Sequence, residues 1–417
     1  MIYKIVLDNG LTLVLDNIPD AKTVTIKYVV AAGALDEQGS YVNENNYGVA
    51  HFLEHMSFKG TEKRTYEDIN NDIAAIGGYT NAYTDRDETV YYISSPADKW
   101  KENLEILSDL FWNSTIPEEE FNKERTVIIE ELKMINDDPR SKVIEQLYEL
   151  IYERNDNRKH VAGTIDTVKN LTVEDLKKFK KCFYNPNNVL LVAAGNFPKD
   201  EFIAEAVSLI GNKEEQIQSG REIEYNNEVF NNRLLRRSKN DLEQAHFAFI
   251  IKGVPFYDEQ YIVMDIIADL LGSSFIGRLY KIIREQMGLA YTVAVSSASM
   301  RDAGYLDGYI GLDAKNIKAV HKVVATELNR LKKELVSNEE LTMLKAQYKG
   351  HLLLGMEPTS AKTTIHEDNF INGTNYTIDE ILEKIDAVTP EDIKQFAQKY
   401  FQRNNIAFSV IEPKIVE

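Results

Sequence analysis

Two histidines and a glutamate fall within five consecutive residues, His51-Phe52-Leu53-Glu54-His55. On a helix, residues four apart lie on the same face about one turn apart, so both imidazoles point the same way. Two imidazoles at this spacing can bind one Zn²⁺ at about 2.0–2.1 Å. The order is the inverse of His-Glu-x-x-His, and both orders occur in zinc peptidases. The pattern predicts that His51 and His55 bind zinc and that Glu54 takes a proton from a water bound to the metal.

A chance occurrence of the motif is the alternative. The chain has seven histidines, so the pattern is expected by chance in on the order of one such chain in a hundred. The pair would then be ordinary surface or core residues. A catalytic zinc usually has three protein ligands, so a third ligand is also required. The other histidines are scattered and are expected to be structural or exposed: His160, His246, His321, His351 and His366.

Length and composition limit the remaining possibilities. With 417 residues, of which 43% are hydrophobic and 27% charged, the chain is expected to form two or more globular domains. No apolar stretch approaches the roughly 18–20 residues that cross a membrane. The single cysteine, Cys182, excludes an intramolecular disulfide, and the N-terminus reads as a strand rather than a signal peptide. We therefore expect a cytoplasmic protein without a membrane partner. The net charge of −18 argues against binding nucleic acid.

A repeated segment indicates an internal duplication. Residues 172–179, Thr-Val-Glu-Asp-Leu-Lys-Lys-Phe, recur at 389–396 as Thr-Pro-Glu-Asp-Ile-Lys-Gln-Phe, and the similarity continues to Asn187-Asn188 and Asn404-Asn405. Each copy reads as a helix capped by threonine and followed by a strand. We predict a metal-binding domain at 1–215, a linker at 216–232 and a homologous domain at 233–417.

The first half reads as strands followed by helices. Two strands, 3–7 and 11–15, are joined by Asp8-Asn9-Gly10, where Asn-Gly predicts a hairpin turn with positive φ at both of its residues. A third strand is expected at 23–31, and a later pair around 79–84 and 88–93. Helices are predicted at 47–57, 65–76, 98–112 and 117–136. This order favours an α+β fold, in which each of two homologous domains has a mainly antiparallel or mixed sheet packed with helices.

The helix predicted at 117–136 carries several acids. Thr115 and Glu118 are placed to form a capping box, with Val127 and Ile128 setting the apolar face. Glu124 and Glu131 are seven residues apart, so they share a face of this helix.

The combined pattern resembles the M16 (pitrilysin-like) metallopeptidases. The resemblance is carried by residues 51–55 followed by Met-Ser-Phe-Lys-Gly-Thr, and by residues 124–131, Glu-Arg-Thr-Val-Ile-Ile-Glu-Glu. The family's third zinc ligand is a Glu at a fixed distance beyond the second His, which leads to Glu131. Glu130 is the neighbouring rival, and a solvated helix acid is the alternative reading of Glu131. Glu124 is then expected to hydrogen-bond to a ligand.

Two further elements resemble substrate-binding parts of this family. Gly77-Gly78-Tyr79-Thr80-Asn81-Ala82 resembles the exposed edge strand with which substrate pairs, so Asn81 and Ala82 are expected to contact substrate; an ordinary asparagine beside a turn is the alternative. Arg284 and Tyr291 resemble the family's Arg/Tyr element, which lies across from the metal and holds substrate near the scissile carbonyl. Without the resemblance, they would read as a surface helix residue and a core aromatic.

The resemblance implies a zinc endopeptidase with one Zn²⁺ per chain. Short family members have two homologous domains and pair into a clam-shell around a chamber that admits peptides or unfolded polypeptides. Because this chain has both the metal motif and the Arg/Tyr element, a homodimer is expected. Two alternatives are a non-catalytic subunit of the same fold, which usually lacks an intact motif, and an unrelated zinc hydrolase.

Overall fold

The computed structural model describes residues 1–37, 46–151, 160–211, 230, 233–273, 275–301 and 303–414. The chain forms two compact units, each with one β-sheet and flanking helices. This confirms the predicted α+β class. Among the described residues, no helix is both long and apolar enough to cross a membrane.

The units are not two contiguous halves of the sequence. The first contains Met1–Lys133, Lys159–Glu222 and Gly355–Tyr376, and the second contains Met134–Arg158, Ile223–Leu354 and Thr377–Glu417. The linker predicted at 216–232 lies outside the described residues except for Phe230. The domain boundaries placed there therefore stay a prediction.

The first unit has a six-stranded sheet. Its strands are β1 (Ile2–Val6), β2 (Thr12–Asn17), β3 (Thr23–Val30), β4 (Tyr79–Thr84), β5 (Thr89–Pro96) and β6 (Val189–Gly195). They lie in the order β1-β2-β6-β3-β5-β4. Only β2 and β6 run parallel, and the other neighbours are antiparallel. Strand β4 is an edge strand, so one row of its peptide groups has no strand partner within this sheet.

The turn between β1 and β2 differs from the prediction. Gly10 has a φ of +87°, but Asn9 is not among the residues with positive φ. The Gly10 amide donates to the Leu7 carbonyl at 2.9 Å, so Asp8 and Asn9 are the central residues of the turn and Gly10 follows them. This longer hairpin loop needs a left-handed residue only at its last position, which the glycine supplies. The Asn9 side chain instead accepts a hydrogen bond from the Leu11 amide and donates one to the Ile210 carbonyl.

Fourteen α-helices lie in the described part of the chain. In chain order they are α1 (Val49–Ser57), α2 (Tyr66–Ala75), α3 (Trp100–Trp112), α4 (Glu118–Asp137), α5 (Pro139–Ile151), α6 (Ile165–Asn170), α7 (Val173–Phe183), α8 (Lys199–Ile210), α9 (Tyr261–Gly272), α10 (Ile317–Lys333), α11 (Asn338–Gly355), α12 (Thr359–Asn372), α13 (Ile378–Ala387) and α14 (Pro390–Tyr400). A π-helical segment, Tyr280–Gln286, precedes the last hairpin of the second unit.

The second unit repeats the first. Its strands are β7 (Arg233–Lys239), β8 (Ala245–Lys252), β9 (Ala290–Ser299), β10 (Gly304–Leu312) and β11 (Ile406–Pro413), in the order β7-β11-β8-β10-β9. Again one pair, β7 and β11, is parallel. The repeated sequence forms α7 and α14, each with a reciprocal capping box, made by Thr172 with Asp175 and by Thr389 with Asp392. Each helix is followed by a strand of the parallel pair, α7 by β6 and α14 by β11, and this order of helix and strand is the one that the duplication predicts.

Helix α12 lies in the second half of the sequence but belongs to the first unit, and helix α5 lies in the first half but belongs to the second unit. Helix α12 packs on β2, β3 and β6 of the first unit, and α5 packs on β7, β8 and β11 of the second. The α12 contact includes a buried ion pair between Lys27 Nζ and Glu367 Oε2 at 2.8 Å. In the α5 contact, the Ser409 hydroxyl donates to Gln146 at 2.9 Å, also buried. We refer to this arrangement as the helix exchange.

Both faces of the first sheet are covered, so β3 and β6 are almost entirely buried. One face, which includes Ile26 and Leu191, packs against α1, α3 and α7. The other face, which includes Val29 and Val192, packs against Ile371 of α12. The short helix α1 is therefore fixed by the core beneath it.

Candidate metal centre

The N-terminus of α1 is held by a buried carboxylate. Glu37 accepts the backbone amides of Gly48 at 2.8 Å and Ala50 at 2.9 Å. Free amides at a helix start favour negative charge, so Glu37 stabilises this end of α1. Gly48 has a φ of +92°, and a Cβ there would lie 2.5 Å from the Ala162 carbonyl oxygen. Only glycine fits this junction, which sets the direction of the helix that carries the histidines.

Helix α4 packs against α1 through stacked aromatic rings. Phe52 and Phe121 have ring centroids 4.4 Å apart and nearly parallel planes. Ile128 and Leu132 continue the buried stripe of α4, but Val127 is 52% exposed. The predicted apolar face was therefore right for Ile128 and wrong for Val127, because the stripe runs through Phe121, Glu124, Ile128 and Leu132.

The predicted capping box at the start of α4 is not the interaction that Thr115 makes. The helix begins at Glu118, and the Thr115 hydroxyl donates to the Gly60 carbonyl at 3.3 Å. The backbone amide of Thr115 donates to the same carbonyl at 3.0 Å. Thr115 therefore joins the start of α4 to the loop that follows α1.

Packing of α1 on α4 brings the three predicted ligands together. His51 Nε2 lies 3.8 Å from Glu131 Oε1, and His55 Nε2 lies 3.8 Å from Glu131 Oε2. One ligand atom from each residue lies within 4.8 Å of the other two, and this is the only such group found among the described residues. Glu130, the rival, is 63% exposed and pairs with Lys133 at 2.7 Å.

These donors fit a zinc ion. Tetrahedral zinc with bonds of about 2.0–2.2 Å places its ligand atoms roughly 3.3–3.6 Å apart. The separations of 3.8 Å exceed this by a few tenths of an ångström. Two imidazoles and one carboxylate are also a ligand set found in catalytic zinc sites. All three ligand atoms lie within 4.8 Å of one another, so both the donor types and their spacing fit the ion.

The protonation of His51 suits a ligand. Burial, together with the smaller effects of the neighbouring His55 and His160, lowers the pKa of His51 to about 3. The imidazole is therefore neutral at physiological pH, as a metal ligand must be.

His55 is oriented by a carboxylate on α4. Its Nδ1 lies 2.8 Å from Glu124 Oε1, and Glu124 Oε2 lies 2.6 Å from Lys59 Nζ. Burial alone would lower the pKa of His55, but the hydrogen bond to Glu124 and the nearby carboxylates outweigh it and raise the pKa. When Nε2 binds a metal, Nδ1 carries the proton and donates to Glu124, which is the arrangement expected of a metal-binding histidine.

Glu54 lies beside the predicted metal ligands and is only 8% exposed. Burial raises the pKa of Glu54; the hydrogen bond from Thr84 and the charge of His55 lower it, and the charge of Glu131 raises it again. The net effect is a raised pKa. The Thr84 hydroxyl donates to Glu54 Oε2 at 2.7 Å. A carboxyl group whose pKa is moved toward neutrality is suited to both accepting and donating a proton.

One cavity joins the predicted ligands to the edge strand. It is lined by His51, Glu54, His55, Glu124, Glu131 and by five residues of β4, Thr80 to Thr84. The structure therefore brings Asn81 and Ala82 to the same cavity as the ligands. Asn81 is exposed, and its Oδ1 accepts the amide of Ala82 at 2.9 Å.

The cavity is also lined by Thr84, Lys59 and His160, for which the sequence predicts no role in the site. His160 was expected to be structural or exposed, but it is half-buried in the cavity, and its Nδ1 accepts the Ala162 amide at 3.1 Å. No motif surrounds it, so the sequence gives no signal for this position. Lys59 lies in the segment that follows the His51–His55 motif, and Thr84 ends the strand predicted at 79–84. Their contacts with Glu124 and Glu54 depend on the tertiary fold.

The second unit contains the predicted Arg/Tyr pair. Arg284 is in the π-helical segment and Tyr291 is in β9, the edge strand of its sheet. The guanidinium carbon of Arg284 lies 4.8 Å from the ring centroid of Tyr291 and 4.9 Å from that of Tyr280. Tyr291 is 77% exposed, which excludes its reading as a core aromatic.

The counterpart of α1 in the second unit is α9. It carries Asp265 and Asp269 in place of histidines. Asp265 accepts hydrogen bonds from Ser297 at 2.6 Å and Tyr348 at 2.7 Å. Burial raises the pKa of Asp265 to about 6, although these hydrogen bonds lower it. Its carboxyl group is thus used in packing α9 against its neighbours.

Comparison with known proteins identifies the family. Residues 12–165 match the profile of insulinase (peptidase family M16), and residues 170–348 match the M16 inactive domain. The chain is 31% identical over 414 residues to the "Uncharacterized zinc protease YmxG" of Bacillus subtilis, covering 99% of this chain and 98% of that protein. The chain belongs to peptidase family M16. Within this family it is also 28% identical to the "Probable mitochondrial-processing peptidase subunit beta" of Arabidopsis thaliana, over 98% of this chain and 77% of that one.

Solved structures of M16 peptidases have the same fold. A protease from Helicobacter pylori matches with a TM-score of 0.91 and 20% identity, over 99% of each chain. A putative M16-like peptidase from Alicyclobacillus acidocaldarius matches with a TM-score of 0.87 and 22% identity, over 99% of this chain and 98% of that one. These matches confirm the two sheet-and-helix domains of an M16 peptidase.

Proposed function

We propose that this M16 protein is a zinc-dependent endopeptidase in which Glu54 is the general base. The observation that supports this best is the convergence of His51, His55 and Glu131, whose ligand atoms lie within 4.8 Å of one another. A buried carboxyl group, Glu54, lies beside them in the same cavity. A non-catalytic subunit has no need for this combination.

The protein groups have distinct roles in peptide hydrolysis. His51, His55 and Glu131 would hold the ion; zinc, when bound, polarises the scissile carbonyl and makes water more acidic. Glu54 accepts a proton from the attacking water and delivers one to the leaving amine. Its raised pKa favours the second role, because a protonated Glu54 is the donor.

The proposed substrate is an extended segment of a peptide or unfolded polypeptide. Strand β4 pairs only with β5, so its other edge can pair with an added strand. Main-chain hydrogen bonds of this kind do not read side chains, which favours broad specificity. Asn81 and Ala82 lie in the middle of this strand and are proposed to contact the substrate backbone.

Arg284 and Tyr291 are proposed to bind substrate near the scissile carbonyl. Both can donate hydrogen bonds to an oxygen that gains negative charge. This part of the proposal depends on the family resemblance and is supported by the exposure of Tyr291. One zinc per chain, a homodimer enclosing a chamber, and a cytoplasmic location are also kept as predictions. Relatives named as beta subunits make a second, related chain the alternative partner.

The test is the Glu54→Gln variant assayed beside the parent. We expect zinc to stay bound, because the three ligands are unchanged, and cleavage of a quenched peptide to fall by about 10²- to 10⁴-fold. Glu130→Gln is the matched control, since Glu130 is exposed and forms an ion pair with Lys133 on the surface of the same helix. If Glu54→Gln cleaved as fast as the parent, Glu54 would not be the base. A parent protein that holds no zinc by elemental analysis would defeat the proposal.

A further inference from the structure

Thr84 contacts the proposed general base directly. It is the last residue of β4, and its hydroxyl donates to Glu54 Oε2 at 2.7 Å. Glu54 is on α1, so this hydrogen bond joins the edge strand to the helix that carries the metal ligands. Among the described residues, Thr84 is the hydrogen-bond donor that the structure gives to this carboxylate.

A hydrogen-bond donor of this kind holds a buried carboxylate in one defined orientation. The Glu54 side chain has three rotatable bonds, and an acid–base group must lie within hydrogen-bond reach of the proton it moves. A misplacement of about 1 Å can lower a rate by about 100-fold. The Thr84 hydroxyl restrains Oε2 and so fixes the direction of the other carboxylate oxygen.

Strand β4 is itself anchored on its opposite face. The Tyr83 hydroxyl donates to Glu367 of α12, and Glu367 pairs with Lys27 of β3 at 2.8 Å. Adjacent residues of a strand point to opposite faces, so Tyr83 and Thr84 hold the strand from both sides. The end of β4 is therefore a rigid support for the hydroxyl.

We propose that Thr84 is a positioning residue that fixes the Glu54 carboxylate and couples it to the strand that binds substrate. The inference depends on the proposed peptidase function. Asn81 and Ala82 are on the same six-residue strand, so a peptide that pairs with β4 is aligned with the strand that orients the base. Binding and proton transfer would then share one element.

The test compares three single substitutions. Thr84→Val keeps the shape of the side chain but removes the donor, and we expect kcat to fall roughly 10- to 100-fold with KM and zinc content unchanged. Thr84→Ser keeps the donor and is expected to retain kcat within about threefold. Thr89→Val is the matched control: Thr89 is the partner of Thr84 across the β4–β5 pair, and its buried hydroxyl donates to the Ala32 carbonyl at 2.9 Å. It should keep the parent kcat.

Several outcomes would overturn the inference. These are an unchanged kcat in Thr84→Val, an equal loss in Thr84→Ser or Thr89→Val, or a raised KM with unchanged kcat, which would make Thr84 a substrate contact. Crystal structures of the parent and the Thr84 variants supply a readout that does not depend on turnover. Glu54 should keep one position in the parent and in Thr84→Ser but shift or split in Thr84→Val. A parent that cleaves nothing would defeat the proposed function, and the Glu54 positions would still decide the inference.

Discussion

Replacing Glu124 by glutamine should weaken zinc binding without removing a ligand. Glu124 Oε1 lies 2.8 Å from His55 Nδ1, and the group is only 6% exposed. Burial would raise the pKa of Glu124, but its contacts with His55 and Lys59 outweigh this and lower it, so the carboxylate is ionised. A charged acceptor keeps the His55 ring in place and makes Nε2 a better donor to the metal.

The size of the effect follows from the contacts that are lost. A hydrogen bond to a charged group contributes about 1.5–3 kcal/mol and a neutral one about 0.5–1.5 kcal/mol, so the exchange loses about 1–1.5 kcal/mol at His55 alone. Lys59 also loses its carboxylate partner at 2.6 Å, which leaves an uncompensated positive charge near the metal. Together these changes should weaken zinc affinity by about 10- to 100-fold.

The assay is a competition titration against a zinc-binding dye at pH 7.5. Glu130→Gln removes an acid from the same helix at an exposed position, so its affinity should stay within about twofold of the parent. An affinity for Glu124→Gln within threefold of the parent would refute the reasoning. An equal loss in Glu130→Gln would show that net charge, rather than the His55 contact, sets the affinity.

Three other predictions follow from buried charges. Lys27→Met should lower the free energy of unfolding of the first unit by about 3–5 kcal/mol in denaturant unfolding, because it leaves Glu367 buried and unpaired. The double variant Lys27→Met/Glu367→Leu should recover most of this loss. A double variant as unstable as the single one would contradict the prediction. Burial and then the charge of Glu367 raise the pKa of Asp368 to about 7, so the folded state keeps a proton that the unfolded chain releases, and stability falls as pH rises from about 4 to 7. Asp368→Asn should therefore raise Tm by a few degrees at pH 8 and leave it unchanged at pH 4; a gain of equal size at both pH values would contradict this. The pKa of His55 is raised, so zinc must displace a proton from this residue at a higher pH than from an ordinary histidine. Zinc affinity should therefore begin to fall at a correspondingly higher pH as the solution is made more acidic. Constant affinity in titrations at pH 8, 7 and 6 would contradict this.

The sequence predicts the elements of the site well because their signals are local. The threonine caps at Thr172 and Thr389 depend only on nearby residues, and both form as predicted, each completed by an acid three residues on. His51 and His55 share a helix face for the same reason. The position of Glu131 came from the family resemblance, since two helices far apart in sequence must pack before it can meet the histidines.

Contacts that depend on packing could not be predicted in this way. The hydroxyl of Thr84 could have faced solvent, and only the crossing of β4 and α1 places it on Glu54. His160 lies in no motif, yet the fold brings it to the metal-site cavity. Likewise, an amphipathic pattern tells which face of α5 or α12 is buried, but not against which sheet.

The helix exchange has a consequence for how the protein is made. The face of the first sheet that includes Val29 and Val192 is covered by α12, whose residues follow those strands by more than 160 positions. During synthesis, the strands of the first sheet would therefore leave the ribosome with one side of the sheet uncovered until α12 emerged. A fragment ending before α12 should be aggregation-prone, since exposed apolar sheet surface promotes association. The three proposed zinc ligands on α1 and α4 also precede α12 in the chain, so they would leave the ribosome before the unit that contains them is complete.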